Sequence, residues 1–121
     1  MLFKLFSWLA VICHIIFFIV ECFYPHLIIR GAASSEISRS TLLFAFNQGF
    51  YNLFLALGLA LGLLRFSKDR AFILVVQFVL ITMVGAAFAL IISDFSLYRG
   101  ALVQGVPPFL AIIFKPKNLQ L

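Results

Sequence analysis

Apolar residues run along this chain in four long blocks, Leu2–Phe23, Thr41–Leu64, Ala71–Ser93 and Leu97–Phe114, separated by short polar stretches. The second and third carry no charge from end to end. About 20 apolar residues span a hydrocarbon core about 30 Å thick, so each block has the length and character of a membrane helix. The pattern predicts an all-α fold, a single four-span domain over residues 1–121, built as an integral membrane four-helix bundle. Connections this short force neighbouring helices to run antiparallel, which predicts an up-down-up-down order.

The one sizeable connection, Pro25 to Ser40, carries His26, Arg30, Glu36 and Arg39. Ser40 or Thr41 is placed to cap the second helix, whose first amides need acceptors. Arg65 to Arg70 forms a tight basic turn, and Asp94 to Ser96 a still shorter one. In the second block, Gly58 and Gly62, and Ala56 and Ala60, form two small-xxx-small pairs, and Gly85-Ala86-Ala87 offers a similar surface in the third. Lipid gives helices no hydrophobic drive to associate, so small residues that permit close approach mark packing surfaces. Packing inside the bundle is the first expectation, and pairing with a second copy, a homodimer, is the other. Pro107-Pro108 interrupts the last block, removing two backbone donors, and predicts a kinked fourth helix whose loosened turn, Val103 to Pro107, faces the interior.

Composition agrees with a lipid environment. The chain is 64% hydrophobic, with 16 Phe and only 11% charged residues, against about 25% charged in an average soluble domain. Its net charge of +5 reads as a topology signal rather than as a nucleic-acid surface. Six cations (Lys4, Arg65, Lys68, Arg70, Lys115, Lys117) fall on one side and three (Arg30, Arg39, Arg99) on the other. The positive-inside rule then places both termini in the cytoplasm, in a plasma (inner) membrane. A cleavable signal peptide is the competing reading of the first block, but Ala32-Ala33-Ser34 lies too far downstream to serve as its cleavage site. Cys13 and Cys22, nine apart on one helix, are separated by about 13 Å along the axis, too far for a disulfide. Neither a metal spacing nor a cofactor motif is present.

Against this background the informative residue is Glu21. A carboxylate in hydrocarbon costs several kcal/mol, and ionisable groups inside spans mark pathways or pockets. Ser7, His14 and Glu21 are spaced by seven and form one stripe along the first helix. The second helix offers Asn47, Gln48, Tyr51 and Asn52 within little more than a turn, with Gln48, Tyr51 and Asn52 on a shared face. The fourth adds Gln104, while the third offers only Gln77 near one end and Thr82 deeper. At 1.5 Å per residue, Asn47, Gln48 and Gln104 lie about 10 Å in from the outer side, level with Glu21, and His14 and Asn52 lie near mid-membrane. Seven residues therefore form the candidate ligand-binding or proton-carrying set: His14, Glu21, Asn47, Gln48, Tyr51, Asn52 and Gln104. Read singly, the amides are as well explained as ties between helices.

His14 and Glu21 at their spacing, Asn47-Gln48-Gly49-Phe50-Tyr51-Asn52 running on to Leu55-Ala56-Leu57-Gly58, Gly85-Ala86-Ala87, and Val103-Gln104-Gly105-Val106-Pro107 together resemble one family. It is the small four-span membrane family known as domain of unknown function 1304. The resemblance covers nearly the whole chain, with the motifs in order. The family pattern has a small residue after the proline, where this chain has Pro108. The resemblance implies the fold and the site, and no reaction.

Three functions follow from the residues. The first is binding or transport of a small amphipathic or cationic molecule, with Glu21 as anionic anchor or proton carrier. The second is a membrane enzyme performing isomerase-like acid–base chemistry on a lipid or isoprenoid, with His14 and Glu21 relaying the proton. The third is a structural subunit. The partners expected are the bilayer itself and a small hydrophobic or amphipathic ligand, with no nucleic acid and no cofactor.

Overall fold

The computed structural model describes residues 1–27, 37–66, 69 and 71–116. All of the regular structure among them is helical: α1 (Leu2–Phe23), α2 (Arg39–Arg65), α3 (Ala71–Ser93) and α4 (Tyr98–Ile113), with single 3-10 turns at Pro25–Leu27 and Phe95–Leu97. At 1.5 Å per residue the first three, of 22, 27 and 23 residues, measure about 33, 40 and 35 Å. These three are long and apolar enough to cross a membrane. The 16 residues of α4 measure about 24 Å, less than a full hydrocarbon core.

The helix starts differ from expectation by small amounts with clear causes. Ser38, rather than Ser40 or Thr41, caps α2: its Oγ accepts the Thr41 amide at 3.2 Å, and the helix begins at Arg39. Ser40 and Thr41 instead place their own hydroxyls 2.9 and 2.8 Å from the Ser38 Oγ. Asp69 Oδ1 accepts the Ala71 amide at 2.9 Å at the start of α3. Asp94 Oδ1 accepts the Ser96 amide at 2.8 Å, winding the short α3–α4 connection into its 3-10 turn. Arg30 and Glu36 of the first connection, Lys68 and Arg70 of the second, and Lys117 lie outside the described residues.

The extensive interfaces are α1–α2, α3–α4, α1–α4 and α2–α3, so the four helices close a ring around one core. That core is narrow. It holds Phe3, Ala10 and Val11 of α1, Ala56, Leu59 and Leu63 of α2, Val76, Val79, Leu80 and Met83 of α3 and Ala111 of α4. The larger apolar side chains point the other way, with Phe44, Phe78, Phe88 and Ile92 each more than 60% exposed. The buried set meanwhile includes Ser7, His14, Asn52 and Gln104. Soluble proteins rarely expose apolar patches larger than a few hundred Å², so a surface of phenylalanines over a partly polar interior belongs in lipid.

Close helix approach is set by glycine, as the small-residue pattern suggested. A Cβ on Gly62 would lie 2.6 Å from Val76 Cγ2 of α3, and one on Gly105 2.6 Å from the Ala87 Cβ. Both contacts join helices of the one chain, α2 to α3 and α4 to α3. Gly85 departs from the expectation: it faces outward with open space around it. α4 continues through Pro107 and Pro108, both buried. Neither proline has an amide hydrogen, so the carbonyls four residues earlier, on Val103 and Gln104, lose their helical donors. Of those two residues, Gln104 turns inward and Val103 outward.

Candidate functional site

The α1 stripe faces the interior along its length. Ser7 and His14 are fully buried and Glu21 is half-buried. His14 Nδ1 lies 2.9 Å from the Ala10 carbonyl oxygen of its own helix, one turn back. Nδ1–H therefore donates there, which leaves Nε2 of the neutral ring as an acceptor. Among the described residues, His14 Nε2, Ser7 Oγ and Asn52 Oδ1 are buried polar atoms without a hydrogen-bond partner. Natural interiors contain few such atoms, and each calls for an explanation.

Glu21 meets the second helix through Asn52, whose Nδ2 donates to Oε2 at 2.7 Å. Depth along the helices puts Asn47 and Gln48 level with Glu21 and Asn52 deeper, yet Asn52 is the partner. The direction of the side chains explains the difference. Helix side chains lean toward the N-terminus of their own helix. α1 and α2 pass in opposite senses, Lys4 lying over Phe66 at one end while Cys22 reaches Phe46 at the other. Glu21 thus leans toward the Lys4–Phe66 end and Asn52 toward the Cys22–Phe46 end, so they meet, whereas Gln48 leans away.

Gly49 lets the two helices come this close. A Cβ there would lie 2.5 Å from Cys22 Sγ, 3.2 Å from Glu21 Cβ and 3.2 Å from the Phe18 carbonyl oxygen. Cys22 S–H donates to the Phe46 carbonyl at 3.5 Å beside this contact. Gly49 and Cys22 are positioning residues that the polar pattern alone did not single out. The available signal was a glycine three residues before Asn52, set between the large side chains of Phe46 and Phe50.

A second feature adjoins this pair. Gln48, Tyr51, Phe54 and Leu55 of α2, Val79, Thr82 and Ala86 of α3, and Gln104 of α4 line an open groove of about 420 Å³. Gln48 and Asn52, four apart, differ by about 40° around α2, which puts the groove wall one turn from Asn52, while neither Asn52 nor Glu21 itself lines the groove. Thr82 Oγ donates to the Phe78 carbonyl at 2.8 Å, leaving its oxygen lone pairs toward its surroundings.

The seven candidate residues therefore do not form one enclosed pocket. Glu21 and Asn52 are joined directly, His14 lies one stripe-step along α1, and Gln104 is buried and reaches the groove. Gln48 and Tyr51 are exposed and line the groove rather than the core. Asn47 is exposed and belongs to neither feature. A shared face does not guarantee a shared environment: residues 40–100° apart on α2 look toward different neighbours, α1 for Asn52 and α3 and α4 for Gln48 and Tyr51. Among the described residues, no three His, Cys, Asp or Glu side chains gather as metal ligands would.

Around Glu21 the arrangement offers acceptors, the carboxylate and Asn52 Oδ1; His14 Nε2 and the Ser7 hydroxyl, which can also donate, lie further along the α1 stripe. Residues 8–115, which include every candidate site residue, match the family described as protein of unknown function (DUF1304). No curated protein and no solved structure matches the chain.

Proposed function

The chain belongs to the DUF1304 family, and we propose that it is an integral membrane protein that binds the polar head of a small, cationic amphipathic molecule inside the bilayer. One observation carries this reading: a half-buried Glu21 carboxylate is held by Asn52 at 2.7 Å, beside an Asn52 oxygen with no donor of its own. An anion beside an unmet acceptor is complementary to an ammonium group, which has donors and positive charge and no acceptor. The adjoining groove would take the apolar part of the same molecule, along Tyr51, Phe54, Leu55 and Val79. Because the groove is open at the side of the bundle, such a ligand would enter from the lipid. Transport follows if Glu21 exchanges the cation for a proton.

The reading includes four spans in up-down-up-down order, a kinked α4 and both termini in the cytoplasm of a plasma membrane. The order is supported by Phe3, Phe66, Ile73 and Lys115 lining one cleft, which gathers the start of α1, the end of α2, the start of α3 and the end of α4. The cytoplasmic side is supported by the excess of Lys and Arg in the sequence there. A kink in α4 is supported by the two donors missing at Pro107 and Pro108.

The test is native mass spectrometry of the protein in lipid nanodiscs with dodecylammonium, dodecanol and dodecyl sulfate as probes. Dodecylammonium is expected to bind the wild type in preference to the other two, and Glu21→Gln to remove that preference. Equal retention of the three probes, or an unchanged preference in Glu21→Gln, would sink the reading.

A further inference from the structure

At the end of the bundle opposite Glu21, we propose a second site, independent of the first, that holds the phosphate headgroup of an anionic phospholipid. Two clefts open there and share Gln77 and Lys115. One is walled by Phe3, Phe66, Ile73 and Val76, and the other by Leu80, Ile81 and Ile112. Both walls are apolar, and the side chain at their common mouth is a half-buried lysine. The clefts are small, about 10 and 40 Å³. They place the cation at the level of the headgroup, while the acyl chains would lie along the exposed apolar helix surface beside it, at Ile81 and Phe114.

Further positive charge lies close by. Lys4 Nζ sits 5.6 Å from the centre of the Phe66 ring, which itself packs edge-on against Phe3 at 6.4 Å. Arg65 ends α2 beside Phe66 and is exposed. The described acid at this end, Asp69, has its Oδ1 occupied by the Ala71 amide. Ammonium groups bind phosphate as point charges, and basic pockets between membrane helices on the cytoplasmic side take anionic headgroups. A lipid with a quaternary ammonium beside its phosphate would bring a positive charge against Lys4 and Lys115 and bind more weakly. The opposite end offers a contrast, since Arg99 there stacks near Tyr98 and donates to its hydroxyl at 3.1 Å.

The experiment uses the full chain in mild detergent, with phosphatidylglycerol and phosphatidylcholine offered in equal amounts and bound lipid read by native mass spectrometry. Phosphatidylglycerol is expected to be retained preferentially. Near an anionic headgroup each cation contributes roughly a fivefold factor, so Lys115→Gln should weaken retention about fivefold and Lys4→Gln with Lys115→Gln about 25-fold. Lys115→Arg should keep the preference, and Arg99→Gln should leave it unchanged. Three results would overturn the proposal: equal retention of the two lipids by the wild type, an effect of Arg99→Gln as large as that of Lys115→Gln, or loss of the preference in Lys115→Arg. Displacement of the lipid by millimolar inorganic phosphate or glycerol phosphate would show a soluble-anion site, and would overturn it as well. Circular-dichroism melts of the same variants separate lost binding from lost folding.

Discussion

Replacing Gly49 by alanine isolates the contact that brings Glu21 to Asn52. The new Cβ would lie 2.5 Å from Cys22 Sγ, 3.2 Å from Glu21 Cβ and 3.2 Å from the Phe18 carbonyl oxygen. The thiol can rotate away, but the other two atoms are fixed to the α1 backbone, so α1 and α2 must move apart by a few tenths of an ångström. Overpacking of this kind costs about 1–3 kcal/mol. Alanine also gains about 1 kcal/mol over glycine in a helix interior, which partly offsets that cost. Gly85→Ala supplies the reference, because Gly85 is an exposed helical position with nothing within 4 Å of an added Cβ. The propensity gain cancels between the two variants, leaving Gly49→Ala less stable than Gly85→Ala by about 1–3 kcal/mol. Unfolding in rising mole fractions of sodium dodecyl sulfate, followed by helical circular dichroism, measures the difference. Adding Cys22→Ala to Gly49→Ala removes the 2.5 Å contact and should restore part of the loss as a favourable coupling in a double-mutant cycle. If both alanine variants gain equal stability, the helices do not approach as described, and the account of how Glu21 reaches Asn52 fails with it.

Three further outcomes are expected. Glu21→Gln keeps an acceptor for the Asn52 amide and should cost no more than about 1–2 kcal/mol, whereas Asn52→Leu leaves the carboxylate unpaired and should cost about 2–5 kcal/mol; the double variant should recover much of that loss in the same unfolding assay. Ser38→Ala removes the acceptor for the Thr41 amide and should cost about 0.5–2 kcal/mol, seen as fraying at the start of α2 by amide hydrogen exchange. Reporter domains fused after Leu121 and inserted within residues 32–35 should read opposite sides of the membrane; the same side for both would refute the four-span order.

The sequence alone determined the solvent and the scaffold. Uninterrupted apolar blocks fix helices in lipid, because hydrocarbon offers the backbone no other partner, and local composition suffices to show it. It also determined which side of α1 is interior, since Ser7, His14 and Glu21 repeat in step with the helix and hydrocarbon penalises each of them, the carboxylate most. It did not determine who meets Glu21. Asn47, Gln48, Tyr51 and Asn52 lie within little more than one turn of α2, and only the rotation of that helix against its neighbours assigns Asn52 to α1 and Gln48 and Tyr51 to the groove. That rotation is set by Gly49 resting on Cys22 and by Gly62 on Val76, contacts between residues 27 and 14 positions apart. Periodicity reports the face of a helix to within a residue or so, while a hydrogen bond depends on which neighbour that face meets and on which way each side chain leans. Close packing decides both, and it exists only once the four helices have assembled.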